Sequence, residues 1–479
     1  MLKETKNRRI HVVAGDALEY EPPSQLQNPQ ARCILVGHNG WFSLDDTIFS
    51  KHILVIGSIG SGKTNLIYQI VHQIQKSLRD NDVLVIFDTK GDYLERFENE
   101  KSVVISNDEK AHGLHGPDYW NIFAEIMFRN KDPFTKRAYE DASNIVTSLF
   151  AEKLKKTNQP FFPQAARDIL ASTIICLLRD MYKKTKRPQD FLNNAVLRGL
   201  LDRIGGQGLQ NLLAQYDDMG NARSYIAIAE SPQTQGVLSE LQQSMREFFI
   251  GNYSQPGSLS MRELVYNKGG VTVFVEYDIA YGHSLGPIFR LLLDLALEEA
   301  MGRNRSPGNV WIVIDEFSLL PNLNRLENAL NFGRSIGLKI LLGFQNFNQI
   351  IVSYEEAKGR SIASGCSTVF VFRIAEPKTK EYVQSLFGKQ RRLEGYVHEV
   401  VLANSPGSRL NDGYVVEEWD LNLPVGECIV QIPGHAPFLY QTQLYDPQQL
   451  DAAVTKIRAM GHTNMTLNPN NLPFANLFR

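Results

Sequence analysis

Eight consecutive residues, Gly57-Ser-Ile-Gly-Ser-Gly-Lys-Thr64, have the types and spacing needed to hold a phosphate chain. Glycines let a backbone fold back and aim N–H groups at anionic oxygens, which side chains there would obstruct. Lys63 offers an ammonium to the β- and γ-phosphates and Thr64 a hydroxyl to Mg²⁺. A helix starting at this point turns its positive dipole end toward the anion. Gly57, Ser58, Ile59, Gly60, Ser61, Gly62, Lys63, Thr64 and Asn65 are therefore the candidate nucleotide-binding residues.

A second motif lies far downstream, where Val310-Trp-Ile-Val-Ile ends in Asp315-Glu316. An apolar strand followed by paired acids suits Mg²⁺ binding through water at Asp315, and orientation or deprotonation of an attacking water at Glu316. Asp88, Lys90 and Asp92 follow another apolar run, and read equally well as nucleotide contacts or as a cap for the next helix. Gln345 ends the run Leu338–Phe344, where it is either a phosphate contact or a helix cap. Arg334 sits between Gly333 and Gly337, either as a cation for chemistry or as half of a surface ion pair.

These groups need a scaffold. Strand-like runs precede the phosphate loop, span 82–88 and 102–106, and resume at 270–275, 310–314, 338–344 and 367–373. Continuous apolar runs of this kind suit strands buried on both faces, as in a mostly parallel sheet. Two runs around His38-Asn39-Gly40 read as a small β lead-in, and Gly413–Trp419 and Gly426–Ile432 as strands near the sheet edge. Helical periods are expected at 325–336 and 378–387. From about Arg129 to Met261 the β-branched runs vanish and amphipathic helical spacing takes over, for example in 142–150, 164–178 and 234–245. The expected organisation is an α/β nucleotide-binding domain (1–128 and 262–479) interrupted by an inserted all-α domain (129–261).

Composition restricts the function classes. At 479 residues the chain can bury more than one domain's core. Cys33, Cys176, Cys366 and Cys428 are scattered, which argues against a zinc site or a disulfide framework. No uncharged apolar stretch approaches the roughly 20 residues of a membrane span, and the start lacks a signal-peptide core, so a cytoplasmic location without membrane insertion is expected. The net charge of −2 gives no bulk case for nucleic-acid binding. Residues 129–261 carry 17 Lys and Arg against 13 Asp and Glu, with local clusters at Lys153/Lys155/Lys156 and Lys183/Lys184/Lys186/Arg187. Phe474 and Phe478 are candidate docking anchors in a polar tail. No repeat and no histidine cluster or catalytic triad is present.

Together, His52-Ile-Leu-Val-Ile-Gly with the phosphate loop, Phe87-Asp-Thr-Lys-Gly-Asp92, Phe162-Pro-Gln-Ala-Ala-Arg-Asp168, Ile314-Asp-Glu-Phe317, Gly333-Arg-Ser-Ile-Gly337 and Gln345 resemble the type IV coupling proteins. These are the TraG/TraD-like ATPases of conjugation and type IV secretion. The resemblance, from about Gly37 to Gln441, implies a RecA-like domain with an all-α insert, ATP and Mg²⁺ as cofactors, and a hexameric ring that moves or recruits DNA or a DNA–protein substrate. It also implies that Arg334 is a finger acting on a neighbour's nucleotide and that Gln345 senses the γ-phosphate. Family members usually begin with membrane helices, which this sequence lacks, so a membrane-anchored partner at the inner membrane is expected. A HerA- or FtsK-like role in defence or chromosome handling, or a recruitment platform without translocation, remains an alternative.

Replacing Lys63 by alanine removes the only ammonium in the phosphate loop, leaving β/γ charge uncompensated. Lys63→Ala is expected to abolish hydrolysis and weaken nucleotide binding, measured by phosphate release and by titration with a fluorescent nucleotide.

Overall fold

The computed structural model describes residues 3–5, 8–277, 285–320, 323–396 and 407–460. Its central sheet has nine strands: β1 (Ile53–Ile56), β2 (Val83–Asp88), β3 (Ser102–Ser106), β4 (Val271–Glu276), β5 (Val310–Ile314), β6 (Leu338–Phe344), β7 (Thr368–Val371), β8 (Glu427–Gln431) and β9 (Phe438–Gln441). Their spatial order is β9-β8-β7-β1-β6-β5-β2-β4-β3. From β7 to β3 the row is parallel, and β8 and β9 close one edge antiparallel.

The apolar runs of the sequence explain the sheet's burial. Successive side chains on a strand point to opposite faces, so Ile53 and Val55 face one layer and Leu54 and Ile56 the other. The first layer holds the helix Lys63–Lys76 that follows the phosphate loop, with Leu66, Ile67 and Ile70 buried against the strands. The hairpin Cys33–Gly37/Gly40–Leu44 packs there too, as the lead-in reading expected. The opposite layer holds the helix Gly286–Met301 and the helical stretch between β3 and β4.

That stretch contains the anticipated helices, as Lys136–Lys156, Phe161–Tyr182 and Pro232–Phe248. Phe161–Tyr182 is long and apolar enough to cross a membrane, but it contains Arg167, Asp168, Arg179 and Asp180, and 67% of its most apolar window is buried. Helical structure also reaches past residues 129 and 261, to Ile122–Arg129 and Met261–Asn267. The two flanking segments are tied together. The Asn121 N–H donates to Leu259 O (2.9 Å) and the Leu259 N–H to Tyr119 O (3.0 Å). Between the flanking helices the buried Glu125 carboxylate accepts Trp120 Nε1, Ser260 Oγ (both 2.8 Å) and the Met261 N–H (2.5 Å). Arg262 then forks onto both oxygens of Asp141 at 2.8 Å. Chain entry and exit thus form one closed neck.

One expectation needs correction. The strand expected at Gly413–Trp419 ends at Tyr414 and does not belong to the main sheet. Residues Gly407–Tyr414 pair with Lys389–Tyr396, which pairs with Arg8–Ala14 and through it Lys3–Thr5, in a separate four-stranded antiparallel sheet. Val415 and Val416 are apolar because they are buried beyond the strand end, where a capping box between Glu417 and Asp420 starts the turn Glu418–Leu421. The edge strand β9 carried too short an apolar signal to be foreseen. All four cysteines are buried and unpaired, and no metal-holding cluster exists among the described residues. The anchors Phe474 and Phe478 lie outside the described residues.

His52, at the start of β1, has φ +57° and is 1% exposed. Its Nδ1 accepts the Ile340 N–H at 3.1 Å, pinning β1 to β6. Burial pushes its imidazole down to about 4, from 6.5. The neutral ring is thus favoured in the folded chain, and stability falls as pH drops from 6.5 toward 4, where the unfolded chain takes up the proton first. His52→Asn, tolerant of the positive φ, is expected to flatten that dependence by about 3 kcal/mol, read as urea midpoints across this pH range.

Candidate functional site

Strands in parallel register finish together, so their C-terminal ends gather the candidate groups. Phe344 pairs with Ile56, Leu342 with Ile314, and Ile314 with Phe87. Gly57, Asp88, Asp315 and Gln345 therefore emerge side by side. Because β6 stands between β1 and β5, Gln345 lies between the phosphate loop and the acid pair.

Gly62 adopts φ +112°, and a Cβ there would meet Gly426 Cα at 3.1 Å, so only glycine serves both the turn and the close approach. The Gly426 N–H donates to Ser61 O (2.9 Å), docking the β8 lead-in on the loop. The Lys63 ammonium is buried and donates to Gly57 O (2.7 Å) and Ser58 O (3.2 Å), folded back on the loop it belongs to. Burial lowers its pKa, and Asp315 and Glu316 oppose that shift. Ser61 Oγ is buried without a partner inside the loop, a polar atom the turn itself does not satisfy.

Across the cleft Thr64 Oγ1 donates to Asp315 Oδ2 at 2.8 Å. Burial raises the Asp315 carboxyl, while the hydroxyls of Thr64 and Tyr93 pull it back down. This pairing of a loop hydroxyl with an acid oxygen is the donor set for a hard cation such as Mg²⁺, and the residues fit that ion. The Glu316 carboxylate is held from both sides, by Gln345 Nε2 on Oε2 (2.6 Å) and by Ser318 Oγ on Oε1 (2.5 Å).

Other candidates fall into place. Gln345 is not a cap: Asn346 caps the next helix by accepting the Gln349 N–H at 3.0 Å. Asp88 is a capping group, accepting N–H bonds from Lys90, Tyr93 and Leu94. Lys90 and Asp92 line the cleft beside it. Ile59 and Gly60 line the cleft mouth, with Ile59 76% exposed. Ser58 Oγ accepts the Ala375 N–H (3.1 Å). The Asn65 side chain is committed elsewhere, to Gln443 O (2.7 Å) and the Tyr445 N–H (2.6 Å), so it offers the site only its backbone.

Arg334 is exposed on a turn at the opposite end of β6 and forms no ion pair among the described residues. Seven strand residues at about 3.3 Å each separate that turn from Gln345 by roughly 20 Å, too far for its guanidinium to reach its own Lys63. Of the lysine clusters, Lys153 is tied to Glu240 (3.1 Å) and Glu247 (2.9 Å), Lys156 to Glu152, Lys183 to Asp180 and Arg187 to Asp190.

Two contributors escaped the sequence reading. Tyr93 OH donates to Asp315 Oδ2 at 3.0 Å, from the helix Asp92–Phe97 that Asp88 caps. Gly343 lies under the acid pair: a Cβ there would come within 2.2 Å of Asp315 O. A glycine inside an apolar strand was the available signal for such a close approach.

The description "type IV secretion-system coupling protein DNA-binding domain" matches residues 39–438, most of the chain. The chain belongs to the type IV coupling protein family. A curated relative, the coupling protein TraD of Escherichia coli (strain K12), is 20% identical over 401 residues, covering 81% of this chain and 52% of its own length. The chain spans about half the length of that relative. Among solved structures, the conjugative coupling protein TrwBdeltaN70 in its unbound form superimposes with a TM-score of 0.69 at 18% identity, covering 91% of this chain and 94% of its own. TrwB in complex with ADP and Mg²⁺ gives 0.68 at 18% identity, over 93% and 97%. At these identities the coupling-protein likeness carries the fold: a RecA-like sheet with helices inserted between its strands.

The Glu316 carboxylate takes one side-chain donor on each oxygen, which fixes its direction while it remains partly open to the cleft. Glu316→Gln keeps that shape but cannot take a proton from water. It is expected to bind ATP normally and to lower turnover by about 10²- to 10⁴-fold, measured by nucleotide retention and single-turnover phosphate release.

Proposed function

We propose that the chain is the ATPase motor of a conjugation or type IV secretion system, coupling ATP hydrolysis to recruitment or translocation of DNA or a DNA–protein substrate. The observation that carries this reading is the convergence of Lys63, Thr64, Asp315, Glu316 and Gln345 on one cleft, with Arg334 exposed at the far end of β6 and without an ion pair among the described residues. Family membership and the relatives' names, "coupling protein" throughout, support the system and the substrate class. ATP with Mg²⁺, as the TrwB complexes with ADP and Mg²⁺ and with an ATP analogue suggest, supplies the transferable γ-phosphoryl group.

Each residue then has a task. Lys63 exchanges its bonds to Gly57 O and Ser58 O for phosphate oxygens. Thr64 and Asp315 would hold the metal, which would offset phosphate charge, and Tyr93 keeps Asp315 aimed. Glu316 positions and deprotonates water. As long as Gln345 donates to Glu316, the carboxylate is a weaker base; turning the amide to the γ-phosphate frees it, so hydrolysis waits for a correctly seated nucleotide. Arg334 serves the next copy's nucleotide, which makes a ring the working form, six copies by family likeness. The helical stretch 129–261 chooses the substrate. The ring works in the cytoplasm, beside a membrane-held partner of the secretion apparatus.

A guanidinium provided to a transferring phosphoryl group is worth roughly 10³- to 10⁵-fold in rate. Arg334→Ala is therefore expected to bind ATP like the unaltered protein and lose most hydrolysis, and mixing it with Lys63→Ala should restore activity at interfaces that pair an intact loop with an intact arginine. Turnover that rises with the length of added DNA supports the motor; turnover indifferent to DNA overturns it.

A further inference from the structure

Cations without an ion pair among the described residues also lie outside the lysine clusters of the sequence. Four of them, Lys131, Arg137, Arg303 and Arg325, come from separate segments and converge on one open cleft of ≈ 1130 Å³. All four are exposed, and none makes an ion pair or a side-chain hydrogen bond among the described residues. Arg325 does lie near enough to Glu298 to lower its carboxyl. The carboxylates that face the cleft, Glu298 and Glu299, are already engaged by Arg129 at 2.9 and 2.7 Å, and Glu298 also by Arg262. Five cationic lining residues thus stand against two neutralised acids.

Aromatic rings stand among these charges. Phe332 is 68% and Tyr266 39% exposed, and Phe128 packs edge-on against Tyr266 with centroids 5.5 Å apart. An exposed phenylalanine beside spaced cations is unfavourable in water and suited to an unpaired base stacked over a phosphate backbone. A small anion would need one focus of charge, whereas these cations are spread around the rim. The cleft also touches the catalytic elements. Arg303 begins the loop that leads into β5, and the helix Leu326–Phe332, which presents Asn328 and Phe332 to the cleft, runs directly into the turn carrying Arg334.

We infer that this cleft, between the base of the helical stretch and the N-terminal ends of β5 and β6, is a binding site for single-stranded nucleic acid. It holds phosphates on Lys131, Arg137, Arg303 and Arg325 and stacks a base on Phe332. The inference rests on the motor reading above and adds where the strand is held and how its presence reaches Arg334. A strand seated there presses on both segments that lead to the acid pair and the finger.

The test is fluorescence anisotropy of the full chain with a labelled oligothymidylate and with a hairpin duplex of equal phosphate number, across a salt series. For Arg137→Ala/Arg303→Ala the slope of log affinity against log salt on the oligothymidylate should fall by about 1.4, or 0.7 for each lost single-strand contact. Phe332→Ala should weaken oligothymidylate binding by about 5- to 100-fold with its slope unchanged, and leave the duplex unaffected. Lys183→Ala/Lys186→Ala serves as the comparison, expected to change neither, and Mg²⁺–ADP titration verifies that each variant keeps its fold. If the unaltered chain binds the oligonucleotides but the cleft variants match it in affinity and slope, the cleft assignment is overturned while the motor reading stands. If Phe332→Ala weakens duplex and single strand alike, the single-strand assignment is overturned. An unaltered chain that binds neither overturns the motor reading together with the cleft.

Discussion

Strand β6 is buried along its whole length between the phosphate-loop strand and the acid strand, and that position constrains everything around it. A parallel strand held on both sides cannot slip by one residue without turning its core face to the wrong layer, so its two ends are fixed relative to Lys63 and Asp315. One end delivers Gln345 against Glu316; the other starts where the Arg334 turn finishes. The bare backbone at Gly343 lets the Asp315 main chain cross at contact distance. His52 secures the lower end by accepting the Ile340 N–H. The distance between the Gln345 amide and the exposed Arg334 guanidinium is thereby a property of the sheet.

The polar interactions in the cleft are arranged as exchanges. Lys63 and Gln345 each donate to a group of the protein that a phosphate oxygen can replace, so neither donor is left unpaired in either condition, and Thr64 can keep its O–H on Asp315 while an oxygen lone pair would face a metal. This matters because a buried donor without a partner costs about 1–3 kcal/mol, and a cleft that paid that cost repeatedly would collapse or fill with solvent. Tyr93 gives Asp315 a further fixed partner, its hydroxyl held there by a helix that Asp88 caps.

How much of this was legible in the sequence follows from how local each signal is. The phosphate loop, the acid pair, the parallel strands and the inserted helices announce themselves within a dozen residues of chain, and all were read. Gln345 and Arg334 could be named, but their alternatives are addressed only by geometry: Asn346 takes the cap, and among the described residues no carboxylate pairs with Arg334. The four-stranded sheet was missed because Lys389-Gln-Arg-Arg-Leu-Glu-Gly-Tyr396 has no continuous apolar run, and its partner Arg8–Ala14 lies at the other end of the chain. Tyr93 was hidden because a tyrosine in the first turn of a short helix looks like core. Charge clustering is legible only where it is local: Lys156, Lys183 and Arg187 find acids one turn away, whereas cations scattered from 131 to 325 meet only in space.

The closed neck of the helical stretch has a consequence for how such proteins diversify. Because Tyr119 to Asn121 and Leu259 are hydrogen-bonded where the chain leaves and rejoins the sheet layer, lengthening, shortening or exchanging what lies between them need not shift any strand by a residue. On the proposed reading, in which this stretch chooses the substrate, cargo preference can then drift, or be transplanted as a cassette, while the sheet and its phosphate loop are inherited unchanged.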